Sequence, residues 1–221
     1  MRAPPARRIT ALEPDPARPG SVRVLVDGRL FCTVGEESVG TAGLEVGETW
    51  DGPRAGVAGE AADLEAAWRS LLRALERRSF ATGELRRKLC RGGHPAPAVD
   101  LAIERAIRVQ LLDDAAFVTQ YVASRAARGR GPARLRRDLS ALGIDRRTID
   151  ASIVAHWPEP EDALALAQEL AHRRAKQLAA QPRDVRRRRI LAYLARRGFT
   201  GSKVAELVRR VLLTEPLGAE G

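Results

Sequence analysis

The chain has 221 residues, of which 44% are hydrophobic and 30% charged, a composition that excludes global disorder. Aromatics make up only 4%, so the core must come from Leu, Ile, Val and Ala, and no run approaches the ~18 apolar residues of a membrane span. A formal net charge of +10 points to an acidic partner, either nucleic acid or an acidic protein surface. The charged, Pro-rich start lacks the apolar core of a secretory signal, and two cysteines, Cys32 and Cys90, are too few for a disulfide scaffold. A cytoplasmic chain with free thiols is the simplest expectation.

Of the 38 basic residues, 35 are arginines and only Lys88, Lys176 and Lys203 are lysines. A GC-rich coding sequence accounts for much of that bias, so the position of the charge says more than its type. Residues 1–60 hold seven arginines against nine acids, whereas residues 61–221 hold 31 basic residues against 19 acids. The whole basic excess belongs to the second segment.

Residues 1–60 are expected to form a small β-strand extension and linker. Arg7 to Leu12 reads as a first strand, ended by Pro14, Pro16 and Pro19-Gly20. Ser21 to Val26 and Arg29 to Val34 flank Asp27-Gly28, a strong two-residue hairpin signal. Gly43 to Gly47 suggests a short fourth element, and Gly52-Pro53 to Gly59 reads as the linker.

From Ala61 the period becomes helical: Leu64, Ala67, Trp68, Leu71, Leu72 and Leu75 lie at i, i+3, i+4, i+7 spacing. Gly and Pro breakers then cut the remainder into about nine helices of ~10–16 residues. An internal repeat organises them. A shift of 50 residues places Leu85 on Leu135, Leu89 on Leu139, Gly93 on Gly143, Val99 on Ile149, Ile103 on Ile153 and Ile107 on Trp157. A further shift of 55 carries these to Ile190, Leu194, Gly198, Val204, Val208 and Leu212. Arg86-Arg87 falls on Arg136-Arg137, and Asp100 on Asp150. The unit is three helices, with the glycine at the point where the second ends in a left-handed residue. The expected fold is therefore mainly α, a tandem array of three three-helix repeats preceded by the small β segment. Its expected repeats are 61–112, 113–157 and 158–214, with a tail at 215–221. Such an array is expected to be elongated and able to curve.

The order and spacing of Glu84-Leu85-Arg86-Arg87-Lys88-Leu89, Leu111-Leu112-Asp113-Asp114-Ala115-Ala116-Phe117, Arg125 through Gly129, Gly131-Pro132, Leu135, Leu139 and Gly143-Ile144 resemble the RecX family, bacterial regulators of the RecA recombinase. Arg197-Gly198-Phe199 in the third unit also fits, as do the N-terminal strands of longer members. The resemblance implies a regulator without catalysis, binding RecA filaments on DNA and limiting their extension or activity in recombination, DNA repair and the SOS response. Some members also bind DNA directly. The chain departs from the pattern at Gln110, where Gly is usual, and at Ala81, where a capping Ser is frequent and Thr82 can take over the cap.

The residues themselves favour no enzyme and no cofactor. Asp113-Asp114 precedes an apolar helical run, so Asp113 reads as a helix cap and not as an acid–base or metal pair. His94, His156 and His172 have no metal-ligand spacing with each other or with the cysteines. No phosphate loop or nucleophile elbow occurs. The positive signal is basic helices: Arg86, Arg87 and Lys88 in the first unit, Arg134, Arg136 and Arg137 in the second, and Arg186, Arg187, Arg188, Arg189, Arg196 and Arg197 in the third. On the third, Ile190, Leu191 and Leu194 are expected inside, with Arg186, Arg189, Arg196 and Arg197 on an outer strip. A solvated face explains any one arginine, whereas their recurrence on matching helices favours a surface that binds the recombinase or DNA, single-stranded or filament-bound. The expected state is a monomer. An autonomous DNA-binding protein is the competing expectation, although few aromatics are present to stack bases.

Overall fold

A computed structural model describes residues 6–214. The expected tail at 215–221 lies outside the described residues. Two compact units divide the chain, Met1–Leu112 and Asp113–Gly221.

The first unit begins with a three-stranded antiparallel sheet in the order β1 (Ile9–Pro14), β2 (Ser21–Val26), β3 (Arg29–Gly35). Asp27 and Gly28 turn between β2 and β3 at φ of 50° and 74°, the left-handed pair a tight hairpin demands. Alternation buries Ile9, Val24, Val26 and Val34 on one face, where Leu44 and Trp50 close over them. The expected fourth element runs beside the start of β1: Gly47 N–H donates to Ile9 O at 2.8 Å and Ile9 N–H to Glu48 O at 3.0 Å. It amounts to a single bridge, Arg8 with Thr49. A short helix, α1 (Glu36–Thr41), precedes it.

The expected linker at Gly52–Gly59 requires correction. These residues are the first two turns of α2 (Gly52–Leu75). Asp51 caps the helix by accepting the Arg54 N–H at 2.9 Å, and Pro53 sits in the first turn where its missing N–H costs nothing. Each glycine weakens a helix by ~1 kcal/mol, but Ala58 is buried in the sheet core and Ala55 packs against it. Further along, the buried Glu65 accepts a hydrogen bond from the Ser21 hydroxyl at 2.6 Å. The β segment is thus continuous with the first helix of the helical region. That helix then packs with α3 (Thr82–Arg91) and α4 (Ala96–Arg108) around Leu71, Leu85, Leu89, Val99 and Ile103.

The second unit holds α5 (Asp114–Ala126), α6 (Pro132–Leu142), α7 (Arg146–His156), α8 (Pro160–Gln177), α9 (Arg183–Arg197) and α10 (Ser202–Thr214). Residues in repeat register share environments. Leu85, Leu135 and Ile190 are fully buried, as are Leu89, Leu139 and Leu194 within a few per cent. Gly93, Gly143 and Gly198 all take left-handed φ, at 90°, 91° and 94°. The register frays at its end: Ile107, one turn beyond the buried Ile103, is 50% exposed, whereas Leu212 is buried.

Within this unit the end of α9 meets the start of α6. Gly131, the N-cap of α6, has no side chain to cap with. The carbonyls at the end of α9 serve instead: Gly131 N–H donates to Arg197 O at 2.7 Å and Ala133 N–H to Gly198 O at 3.2 Å. The orphan acceptors of one helix end meet the orphan donors of another.

Candidate polyanion-binding surface

The predicted arginines divide into three groups. The first is consumed in ion pairs, two of them between helices and one within a helix. Arg86 on α3 meets Asp100 on α4 through two bonds, Nε to Oδ1 at 2.6 Å and Nη2 to Oδ2 at 3.0 Å. Fifty residues on, Arg136 Nε on α6 donates to Asp150 Oδ1 on α7, also at 2.6 Å. The facing guanidinium holds each carboxyl below the usual aspartate range, and Arg146 at 3.4 Å adds to the effect on Asp150. Arg134 pairs with Asp138 one turn away at 2.8 Å. In the third repeat the corresponding positions are Leu191 and Ala205, and the pair is gone.

The second group is exposed. Arg87 and Lys88 stand on the outside of α3, the Lys88 ammonium lying 6.0 Å above the Phe80 ring. Arg137, Arg187, Arg188 and Arg189 are exposed, with no ion-pair partner among the described residues. Arg186 does not belong with them. It was expected on the outer strip, but it is 1% exposed, and neither Nε nor Nη2 has an acceptor among the described residues. The reason is periodicity: Arg186, Ile190 and Leu194 are spaced four apart, the inner face of α9. The strip is therefore broken at its first member.

The third group is brought together by the fold. Arg196 and Arg197, at the end of α9, join Arg125 on α5 and Arg128 and Arg130 in the α5–α6 turn around Tyr193. They line a cup of about 500 Å³ whose walls contain no carboxylate. Arg197 braces it by donating from Nη1 to the carbonyls of Arg128 at 3.0 Å and Gly129 at 3.3 Å. Its guanidinium lies 4.7 Å from the Tyr193 ring centre, with that of Arg174 at 5.7 Å on α8. A second cavity of about 370 Å³ shares Arg128, Tyr193 and Arg197 and continues to Leu166, Leu170 and Arg174. Gly129 permits the approach: a Cβ there would lie 2.8 Å from Arg197 Nη1, and its φ is +77°. Sequence reasoning missed Arg125, Arg128, Arg130, Arg174 and Tyr193 as site residues. The available signal was Arg-x-x-Arg-x-Arg across a Gly turn, but its counterpart on α9 lies almost 70 residues away.

Family models of the RecX second and third three-helix domains match residues 113–153 and 161–211. A regulatory protein RecX from Thermobifida fusca is 36% identical over 174 residues, spanning 77% of this chain and 89% of that protein. The chain belongs to the RecX family. Another regulatory protein RecX, from Halorhodospira halophila, is 36% identical over 141 residues, covering 63% of this chain and 84% of its own. A RecX crystal structure shares the fold with a TM-score of 0.77 at 24% identity, over 92% of this chain and 99% of that one.

RecX relatives are named as regulatory proteins, not enzymes. Among the described residues no three His, Cys, Asp or Glu side chains converge as metal ligands would, and no helix is long and apolar enough to cross a membrane. Asp113 is the N-cap of α5, its Oδ1 accepting the N–H groups of Ala115 at 2.8 Å and Ala116 at 3.0 Å. Cys32 is partly buried, which pushes its thiol pKa up, as suits a small packing residue. Both departures from the RecX pattern have structural counterparts. Gln110 occupies a left-handed position, φ 58°, where the usual Gly is free of strain. The N-cap of α3 is Ala81 itself, with Thr82 the first helical residue.

Proposed function

We propose that this chain regulates the RecA recombinase: it binds RecA–DNA filaments and limits their extension, ATP hydrolysis and strand exchange in recombination, DNA repair and the SOS response. Membership of the RecX family over most of the chain carries the reading. Serial helical units suit a filament because several weak contacts on neighbouring subunits add through effective concentration, with no deep pocket needed. The protein acts as a cytoplasmic monomer. Its working surface comprises the exposed arginines of α9, Arg187 to Arg189, together with Arg196 and Arg197 beside Tyr193. Arg86, Arg134 and Arg136 drop to a structural role because carboxylates already hold them.

The test measures RecA ATP turnover on single-stranded DNA during titration with the purified protein. Turnover that falls with added protein, and strand exchange that falls with it, is the expected result. Unchanged turnover beside tight binding to bare DNA would favour an autonomous DNA-binding protein instead.

A further inference from the structure

We propose that the arginine cup and its adjoining cavity together bind one nucleotide unit of a single-stranded nucleic acid, backbone phosphates on Arg125, Arg128 and Arg130 and the base beside Tyr193. The proposal deepens the reading above by naming a site, and it stands or falls without any recombinase.

Arginines crowded into one concavity repel each other, and the cup walls offer no carboxylate to balance them. An anion with several oxygens relieves that repulsion, and the guanidinium fork suits phosphate. Charge alone would serve an acidic peptide equally well. The second cavity decides for a nucleotide. Leu166, Leu170 and the Tyr193 ring give it apolar walls, and they adjoin the shared arginines Arg128 and Arg197. Arg174 Nε, in the same lining, is shielded from solvent and has no acceptor among the described residues. A nucleobase supplies both a flat apolar face and acceptor atoms along its edge, whereas an Asp or Glu side chain supplies no such face. The base must leave its stack to enter, which selects single strands over duplex.

The site is preformed. The bonds from Gly131 and Ala133 to the end of α9 hold the α5–α6 turn against Arg197, and Arg197 in turn pins the Arg128 and Gly129 carbonyls. Little ordering remains to be done on binding, which favours affinity.

The experiment uses the full chain and fluorescence anisotropy with labelled oligo-dT, an abasic oligomer of equal length, and polyglutamate, each over a salt series. The variants are Arg125→Gln/Arg128→Gln/Arg130→Gln, the control triple Arg77→Gln/Arg108→Gln/Arg147→Gln at exposed positions outside the working surface, and Tyr193→Leu, all checked by circular dichroism. The cup triple should lose about tenfold or more in oligo-dT affinity, its salt slope shrinking by about 0.7 per lost phosphate contact. The control triple should lose less, and Tyr193→Leu should weaken oligo-dT binding while sparing the abasic oligomer. Equal losses in the two triples, or absent oligo-dT binding by the wild type, would overturn the site. Equal weakening of both oligomers by Tyr193→Leu would overturn the place of the base. Loss of polyglutamate binding with oligo-dT binding intact would reassign the cup to an acidic protein segment.

Discussion

Gly198 lies so close to Arg134 that a Cβ on the glycine would stand 2.3 Å from the Arg134 backbone nitrogen and 2.5 Å from its Cβ. The contact is the joint through which the end of α9 meets the start of α6.

Gly198→Ala should therefore suffer twice, from the left-handed φ of 94° and from the clash. Left-handed backbone costs an alanine ~1–2 kcal/mol and overpacking adds ~1–3 kcal/mol, so a total of about 2–5 kcal/mol is expected. Gly93→Ala is the control, with φ of 90° but open space around the new methyl, and should show only the first part. Thermal melting of the two variants checks this, and equal losses would show that the joint yields.

The Arg86–Asp100 and Arg136–Asp150 pairs predict a titration experiment. A carboxyl whose folded pKa is depressed adds stability that is in place above its unfolded value near 3.9 and is lost as pH falls through the lower folded value. NMR of the side-chain carboxyls should place both aspartates below that value. Arg86→Gln should return Asp100 upwards, whereas Arg136→Gln should move Asp150 only part of the way, because Arg146 still faces it. An unmoved Asp100 midpoint would contradict the geometry.

Arg186 places a guanidinium, 1% exposed, among the apolar side chains of the inner face of α9. Replacing it by Met removes two donors that lack acceptors among the described residues and keeps an unbranched chain for the inner face of α9. Arg186→Met should raise stability by about 1–3 kcal/mol in chemical denaturation, the cost of an unsatisfied buried group. Arg188→Gln, on the exposed side, should change it by less than ~0.5 kcal/mol. A clear loss on Arg186→Met would reveal an acceptor for the guanidinium.

Gln110→Gly should stabilise the chain by about 0.5–1 kcal/mol, relief of left-handed strain outweighing the entropy that glycine loses on folding. Leu139→Ala, at a fully buried position, should cost ~2–5 kcal/mol through lost transfer energy and the cavity left behind. Melting temperatures that move in the same direction for both variants would contradict one of the two assignments.

The helical architecture was legible because its signals are local and repeated. Leu85, Leu135 and Ile190 sit at one phase of successive repeats, and Gly93, Gly143 and Gly198 mark the same chain reversal. Gly52, Gly56 and Gly59 give residues 52–59 the composition of a linker, yet the Asp51 cap and Pro53, a helix-start pair, make them the first turns of α2. Arg186 carries the charge of a surface residue, yet the four-residue spacing it shares with Ile190 and Leu194 places it on the inner face. The cup was not legible at all, since it joins Arg128 to Arg197 across a distance that no local pattern spans. Only the docking of α9 on the α5–α6 turn creates it.

That docking also sets how the second unit comes apart. Amides at the start of a helix ordinarily exchange with solvent early, because nothing inside the helix accepts from them. Gly131 and Ala133 are spoken for by a helix whose first residue lies fifty or more positions downstream. They can exchange only when α9 withdraws from α6. Their protection should match that of the buried amides at Leu139 and Leu194, so that the second and third three-helix groups open as a single cooperative body and the cup between them is lost in the same step.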